Sequence, residues 1–122
     1  MSKLEQNLRR SLKGEVLFDR ASRGRYSTDA SIYQIEPVGV VIPRDEADLA
    51  LAVDVARDAR AAILPRGAGT SQCGQTVGEA LVIDCSKYLR EVVGFDKGKR
   101  QVTVQPGIVL DHLNAWLKPH GL

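Results

Sequence analysis

The residues best suited to chemistry in this sequence lie in one glycine-rich stretch, residues 65–75. This stretch follows the short apolar run 61–64 and contains three glycines and two adjacent hydroxyl side chains, Thr70 and Ser71. Glycine allows a positive φ and lets a ligand approach the main chain closely. Successive N–H groups exposed by such a turn form a concave anion site, most often for phosphate or pyrophosphate. The stretch therefore predicts a loop that binds a phosphate-bearing cofactor.

Two familiar phosphate motifs come close to this stretch and fail at single positions. A dinucleotide-binding turn needs G-x-G-x-x-G at the start of a helix, but Gln72 stands where the third glycine is required. A P-loop needs a lysine after its last glycine, and Gln75 follows Gly74 instead. Neither a Rossmann turn nor nucleoside triphosphate chemistry is therefore predicted.

The other polar residues do not combine into a catalytic group or a metal site. His112 and His120 are the two side chains suited to acid–base work near neutral pH, and no carboxylate or nucleophile is placed to converge on either. Cys73 and Cys85 lack the spacing of metal ligands. We predict no catalytic residue and no metal ligand in this chain.

Composition limits the chain to one domain or part of a larger one. Its 122 residues are 43% hydrophobic and 26% charged, with a net charge of +2, which is ordinary for a globular protein. The basic bias of residues 1–25 is typical of a solvated surface and gives little support for nucleic-acid binding. No apolar run predicts a transmembrane segment or a secretory signal. We expect a cytoplasmic protein with reduced cysteines.

The elements that must position the loop begin with a helix and an arm. The leucines Leu4, Leu8 and Leu12 recur at helical spacing and predict a helix over residues 3–13. Residues 15–36 are polar and weakly patterned, which predicts a long surface arm.

A strand–helix–strand unit is then predicted to lead into the loop. The strands are expected at residues 38–42 and 61–64. The helix is expected over residues 45–60, with Asp45 as its N-cap and Asp48 in a capping-box-like start. Leu49, Val53 and Ala56 are predicted to fall on one face of this helix.

Beyond the loop, residues 80–84 predict a strand and residues 91–105 a hairpin that turns at 96–99. A last helix is predicted to carry Leu110, Leu113 and Leu117 along one side and to end at Pro119 and Gly121. The predicted fold class is α+β, a small mixed sheet with flanking helices.

Residues 64–71 resemble the pyrophosphate-binding loop of the vanillyl-alcohol-oxidase-like, PCMH-type FAD-binding domain. The resemblance is closest to FAD-linked 2-hydroxyacid oxidoreductases of the glycolate oxidase D-subunit, D-lactate dehydrogenase and D-2-hydroxyglutarate dehydrogenase types. Further segments resemble the same family in the same order, and they are residues 26–31, 37–43, 81–89, 102–107 and 110–122.

This resemblance implies a cradle for the FAD pyrophosphate, in which the N–H groups of Gly67, Ala68 and Gly69 face the phosphates. Several oriented donors can share that charge without a buried counterion. The other residues implied to bind or line the cofactor are Arg66, Thr70, Ser71, Gln75, Pro106 and Gly107.

The stretch departs from the family pattern at three positions. Ala68 replaces a common glycine, and its methyl group is tolerable only if its φ is negative. Gln72 and Cys73 replace commoner apolar residues. Relatives with covalent flavin often carry a histidine in this loop, and the absence of one here implies non-covalent FAD.

The resemblance also implies an organisation and an activity. Residues 1–36 are expected to form the N-terminal helix and the arm. Residues 37–122 are expected to form the first subdomain of an FAD-binding domain, and the chain is expected to be truncated at its C-terminus. The full-length enzyme is implied to take a hydride from a small 2-hydroxy acid such as glycolate, D-lactate or D-2-hydroxyglutarate, whereas the fragment alone is expected to be inactive.

Several partners follow from this reading. They are FAD, the remainder of the chain's own flavin domain, and a second copy of the fragment through uncovered apolar surface. We also expect the full-length protein to be cytoplasmic or peripheral at a membrane. Two alternatives stay open: the flavin domain of another FAD enzyme such as a nucleotide-sugar reductase, and a non-enzymatic interaction module on the same scaffold.

Overall fold

The chain forms four α-helices and six β-strands in a computed structural model that describes residues 1–122. The helices are α1 (Lys3–Ser11), α2 (Arg20–Arg25), α3 (Glu46–Asp58) and α4 (Leu110–Leu117), the last continued by a 3-10 turn over Lys118–His120. The strands are β1 (Glu15–Leu17), β2 (Gly39–Ile42), β3 (Ile63–Arg66), β4 (Leu81–Asp84), β5 (Val92–Asp96) and β6 (Gln101–Val104).

The main sheet is mixed and has the order β1-β2-β4-β3. Strands β2, β4 and β3 are parallel, and β1 pairs antiparallel with β2. The two central strands, β2 and β4, are buried along their whole length, as expected for parallel strands covered on both faces. Strands β5 and β6 form a separate hairpin. The prediction of an α+β fold with a small mixed sheet is confirmed.

Apolar side chains pack on both faces of this sheet. On one face, alternate residues of β2 and β4 contact α1 and α3, with Leu8, Ala52 and Ala56 fully buried. On the other face, Val40 and Val82 pack with half-buried residues that include Tyr26. The Tyr26 hydroxyl donates a 2.5 Å hydrogen bond to the Asp84 carboxylate at the end of β4. This bond ties the segment after α2 to the middle of the sheet.

Strand β3 forms one edge of the sheet and carries a proline that protects that edge. The carbonyl oxygens of Ala62 and Arg66 accept from the β4 side, from Leu81 N at 2.8 Å and Cys85 N at 2.9 Å. Since successive residues of a strand alternate in direction, Pro65 faces the open side. It offers no N–H there, which blunts the edge against pairing with another chain.

The expectation of a surface arm over residues 15–36 is wrong for its first part. Residues Glu15–Leu17 form β1 at the sheet edge, with Val16 buried, and α2 follows. A three-residue strand and a six-residue helix containing Gly24 are too short to give a periodic signal. The N-terminal segment is therefore part of the sheet rather than an appendage.

Helix α3 begins as predicted, and its buried face agrees with the prediction only in part. The Asp45 side chain accepts from Asp48 N, which confirms the N-cap. Ala56 is buried as predicted and Leu49 packs half-buried against the core, whereas Val53 is 39% exposed. The other buried residues of α3 are Asp48 and Ala52. Small alanines let the helix lie close to the sheet, and this contact outweighs the larger side chains that defined the predicted face.

Asp48 does not close a capping box, because its carboxylate is used elsewhere. It accepts three main-chain N–H bonds, from Lys13 at 2.8 Å, Gly14 at 2.8 Å and Arg44 at 2.9 Å. The side chain is 1% exposed. One buried carboxylate thus joins the chain entering β1 to the start of α3.

The remaining elements agree with the sequence except at their ends. Strand β3 runs to Arg66, two residues beyond the predicted end, and so includes Pro65. The hairpin is confirmed. Helix α4 ends through a 3-10 turn at Gly121, which has a φ of +75°. None of the α4 residues is buried, and Leu110 is 67% exposed.

Removal of the Asp48 carboxylate should strongly destabilise the fold. In Asp48→Ala, three N–H donors lose their acceptor, and we expect the free energy of unfolding to fall by about 3 kcal/mol or more. Urea unfolding followed by far-UV circular dichroism measures this. The control is Asp54→Ala, which removes an exposed carboxylate paired with Arg57 and should change stability by about 0.5 kcal/mol or less. Equal effects of the two substitutions would show that the three hydrogen bonds accepted by Asp48 add little to stability.

The Tyr26–Asp84 bond should give stability a dependence on alkaline pH. Burial, and then the hydrogen bond to Asp84, raise the pKa of Tyr26 above its ordinary value. A raised pKa in the folded state stabilises fully below the ordinary tyrosine pKa of about 10 and loses that contribution as pH rises towards the folded-state value.

We therefore expect Tyr26→Phe to be about 1–2 kcal/mol less stable than the wild type at neutral pH. As the pH rises above about 10, the wild type should lose stability more steeply than Tyr26→Phe. Urea unfolding over a pH series measures both effects. The matched control is Tyr33→Phe, since Tyr33 is 53% exposed. Parallel pH profiles for wild type and Tyr26→Phe would contradict the expectation.

Candidate functional site

The glycine stretch leaves the sheet at the carboxyl end of β3, directly beside the carboxyl end of β4. Arg66 is the last residue of β3 and is paired in register with Asp84, the last residue of β4. The carboxyl ends of parallel strands are where open α/β sheets bind ligands. The topology therefore brings the predicted loop to the edge of the sheet that is best suited to a site.

The main chain of the loop keeps its donors free. No N–H group from Gly67 through Gln72 has an acceptor within the chain. Gly69 and Gly74 have φ values of +68° and +79°. Ala68 is not in the left-handed region, which meets the condition for its methyl group. Six successive free N–H groups in a glycine-rich turn are suited to an anion.

The two hydroxyl groups of the loop are placed differently. The Ser71 hydroxyl donates to the Gln75 side-chain oxygen and accepts from the N–H groups of Cys73 and Gln75, both at 3.3 Å. Ser71 and Gln75 therefore stabilise the second half of the loop. Thr70 is exposed and its hydroxyl makes no hydrogen bond within the chain, so it remains available as a donor.

Arg66, a predicted cradle residue, has its guanidinium group committed to main-chain carbonyls. It donates to Thr28 O at 2.9 Å and Thr76 O at 3.0 Å, with a longer contact to Tyr26 O at 3.5 Å. It also lies 5.2 Å from the centroid of the Tyr26 ring. The side chain therefore connects both ends of the loop to the segment that follows α2.

That segment makes two further contacts with the loop, which the sequence did not assign to the site. The Asp29 carboxylate accepts from the Thr76 hydroxyl at 2.9 Å. Hydrogen bonding to Ser31, and then to Thr76, lowers the pKa of Asp29. The Tyr33 ring lies against Gly74, where a Cβ would come within 2.6 Å of it. The similarity of residues 26–31 to the family was the available signal, but it gave no role.

The Pro106–Gly107 turn divides between the site and the core. Pro106 lines an apolar cleft of about 300 Å³ together with Gly67 and residues of α3 and β3. Gly107 is packed against the Cys85 main chain, where a Cβ would overlap the carbonyl oxygen, and its N–H donates to Leu89 O at 2.8 Å. Pro106 therefore flanks the loop, whereas Gly107 supports the turn.

The glycines of the site differ in whether contacts within the chain exclude a side chain at their position. A Cβ at Gly69 would lie 2.5 Å from the Arg66 guanidinium, and Gly74 and Gly107 are equally confined. At Gly67 the nearest atom to an added Cβ is Pro106 O at 3.9 Å, and φ is not positive. The fold itself therefore leaves room for a side chain at Gly67.

Other reactive side chains do not converge on the loop. Cys85 is buried, and burial together with Asp84 raises the pKa of its thiol. His120 packs against Phe95 and Trp116, with ring centroids 4.7 and 5.1 Å away. No cluster of three or more His, Cys, Asp or Glu side chains could hold a metal ion. None of the helices has the length and apolar character needed to cross a membrane.

Sequence comparison relates the chain to flavoenzymes. It is 39% identical over 111 residues to D-2-hydroxyglutarate dehydrogenase of Pantoea ananatis, covering 88% of this chain and 11% of that protein. It is 33% identical to glycolate oxidase subunit GlcD of Bacillus subtilis, covering 85% and 23%. With mitochondrial D-lactate dehydrogenase [cytochrome] 1 of Saccharomyces cerevisiae it shares 30% identity, covering 68% and 15%. The chain thus spans only a small part of these relatives.

Structural comparison supports the same fold. The wild-type BBE-like 1 protein of Physcomitrella patens superposes with a TM-score of 0.76 at 21% identity, covering 97% of this chain and 26% of that one. The family model described as FAD binding domain matches residues 37–122. The chain therefore belongs to the FAD binding domain family, of the type found in FAD-linked 2-hydroxyacid dehydrogenases and oxidases, as its sequence predicted.

Proposed function

We propose that the loop 67–72 binds the pyrophosphate of a non-covalently held FAD. The observation that carries this proposal is the row of six successive N–H groups without acceptors. A pyrophosphate offers several anionic oxygens to such a row, and charge-assisted hydrogen bonds of this kind are stronger than neutral ones. Residues 65–75 contain no histidine that could form a covalent flavin link.

The residues of the predicted cradle take two roles in this proposal. Gly67, Ala68, Gly69 and Thr70 contact the phosphates through main-chain N–H groups and the free Thr70 hydroxyl. Ser71 and Gln75 hold the loop, because their side chains bond to each other. Pro106 flanks the cofactor from the apolar cleft, and Gly107 maintains the turn that places Pro106.

Gly67 supports the same assignment from steric grounds. Its backbone does not need glycine, and an added Cβ would meet no atom of the chain within 3.8 Å. A glycine that the fold does not require, at the start of a row of free donors, is suited to close approach of a ligand to the main chain. The residues present are therefore suited to a pyrophosphate.

The wider proposal concerns the whole protein, of which this chain supplies one part of the cofactor site. FAD supplies the redox chemistry, acceptance of a hydride from the CH–OH carbon of a small 2-hydroxy acid. The similarity to relatives named for D-2-hydroxyglutarate, glycolate and D-lactate supports this substrate class. The chain's own contribution is to bind and orient the cofactor, so the isolated chain is proposed to be inactive. The full-length protein is proposed to be cytoplasmic or peripheral at a membrane.

The apolar cleft suggests where the remainder of the flavin domain packs. Val53 and Ile63 line it and are 39% and 36% exposed. We propose that later parts of the domain cover this cleft in the full-length protein. In the isolated chain, the same surface is proposed to drive self-association. The isolated chain is expected to hold FAD weakly or not at all, because it lacks the rest of the cofactor site.

Gly67→Ala should weaken FAD binding without affecting the fold. The methyl group fits the free protein but occupies the approach of the phosphate, so we expect the FAD dissociation constant of the full-length enzyme to rise by about tenfold or more. Fluorescence titration of the apoenzyme measures it. The matched control is Gly78→Ala, since Gly78 also has room for a Cβ, nearest to Leu64 at 3.8 Å. Unchanged FAD affinity in Gly67→Ala would overturn the pyrophosphate assignment.

The substrate class is tested by anaerobic bleaching of the flavin in the full-length enzyme. We expect D-2-hydroxyglutarate, D-lactate or glycolate to bleach the visible flavin absorbance, and NADH or NADPH to leave it unchanged. Bleaching by the nicotinamides alone would favour the reductase alternative. Absence of bound flavin in the purified full-length protein, even after incubation with FAD, would favour the interaction module.

A further inference from the structure

Arg66 is the only charged side chain in residues 65–75, and its setting is unusual for a residue beside an anion site. Its guanidinium group forms no ion pair with a carboxylate. Instead it donates to the carbonyl oxygens of Thr28 and Thr76, at 2.9 and 3.0 Å. These two acceptors lie on different segments, one before β2 and one at the end of the loop. A single planar group therefore spans the gap between them.

Bonding to two carbonyl oxygens on different segments depends on the planar shape of the guanidinium group more than on its charge. Arginine presents five N–H donors in a rigid planar fork, whereas lysine offers a compact ammonium on a flexible stem. The fork also lies beneath Gly69, where an added Cβ would come within 2.5 Å of Nη2. The positive φ of Gly69 and the position of the guanidinium group are thus parts of one arrangement.

The segment that receives these bonds is itself fixed to the sheet. Tyr26 packs among the residues on one face and its hydroxyl donates to Asp84. Asp29 accepts from Thr76 next to the Arg66 contact. The loop is therefore supported by residues 26–33, which precede the part matched by the family model, residues 37–122.

We propose that Arg66 is a positioning residue, which shapes the loop through main-chain carbonyls and does not bind the phosphates itself. Residues 26–33 are its partner, so the working cofactor site begins ahead of residue 37. This proposal rests on the proposed FAD site. It gives the loop a formed conformation before any ligand arrives, so that less ordering is required on binding.

The first experiment examines the ligand-free chain and is independent of FAD. Exchange of the Arg66 Nη–H protons with water, measured by NMR on arginine-labelled protein, should be about tenfold or more slower than for a free guanidinium group. Arg90 is the internal control, because it is exposed and its side chain makes no hydrogen bond. Equal exchange at Arg66 and Arg90 would overturn the proposal.

The second experiment separates the fork from the charge in the full-length enzyme. If the fork matters, Arg66→Lys and Arg66→Met should both raise the FAD dissociation constant by about tenfold or more, and lysine should not rescue. The control is Arg44→Lys, which alters another guanidinium group over a tyrosine ring, 4.4 Å from the Tyr88 centroid, and should leave FAD affinity unchanged. Near-normal affinity in Arg66→Lys with loss in Arg66→Met would overturn the proposal.

The outcomes distinguish this proposal from the FAD assignment. A wild-type enzyme that binds no FAD, or a Gly67→Ala enzyme with normal affinity, refutes the cofactor site and leaves the exchange measurement intact. If the Arg66 variants fail to fold, slow Nη–H exchange in the wild type still supports the positioning role of Arg66, and fast exchange overturns it.

Discussion

A loop that keeps its N–H groups free for a ligand cannot use those groups to hold its own shape. This constraint governs the site, since residues 67–72 make no main-chain hydrogen bond through their N–H groups. The conformation must then come from side chains and from neighbouring segments. In this chain the guanidinium of Arg66, the Ser71–Gln75 pair and the Asp29–Thr76 bond supply it. The donors stay available because other groups bear the structural role.

Those supporting groups are themselves fixed by the sheet. Arg66 ends β3, and its partner segment is tied to β4 through Tyr26 and Asp84. On the opposite face, Asp48 links the entry to β1 with the start of α3. Loss of the Tyr26–Asp84 bond would therefore disturb the loop, although neither residue belongs to it. The N-terminal segment is in this sense part of the site, even though its own sequence pattern is weak.

The elements predicted correctly from the sequence have local sequence signals, whereas the missed features depend on contacts between distant residues. The central strands, the Asp45 cap and the hairpin depend on short-range composition, and all were found. Strand β1 is three residues long and is stabilised by pairing with β2 across a long stretch of chain. Sequence periodicity cannot carry such a contact. On α3 the sequence placed Val53 on the packed face and missed Ala52 for a related reason, because burial at an alanine reflects close packing rather than hydrophobicity.

The same distinction applies to the residues of the loop. Their types predicted an anion site, and Arg66 was counted with the phosphate cradle because the family resemblance places it there. Whether a guanidinium faces a ligand or a carbonyl depends on residues 38 and 10 positions away in the sequence. No property of the local sequence contains that information.

The glycines of this region are needed for different physical reasons, and only one of those reasons concerns a ligand. Gly69, Gly74 and Gly107 are required by contacts within the chain, so each would be needed even if no ligand were bound. Their presence is therefore weak evidence for phosphate binding, although they dominate the motif. Gly67 is different, because the fold leaves space where its side chain would be. Beside the family match, the geometric support for a ligand thus rests on one glycine and a row of free donors, whereas the other glycines are required by the conformation of the loop and its neighbouring turn.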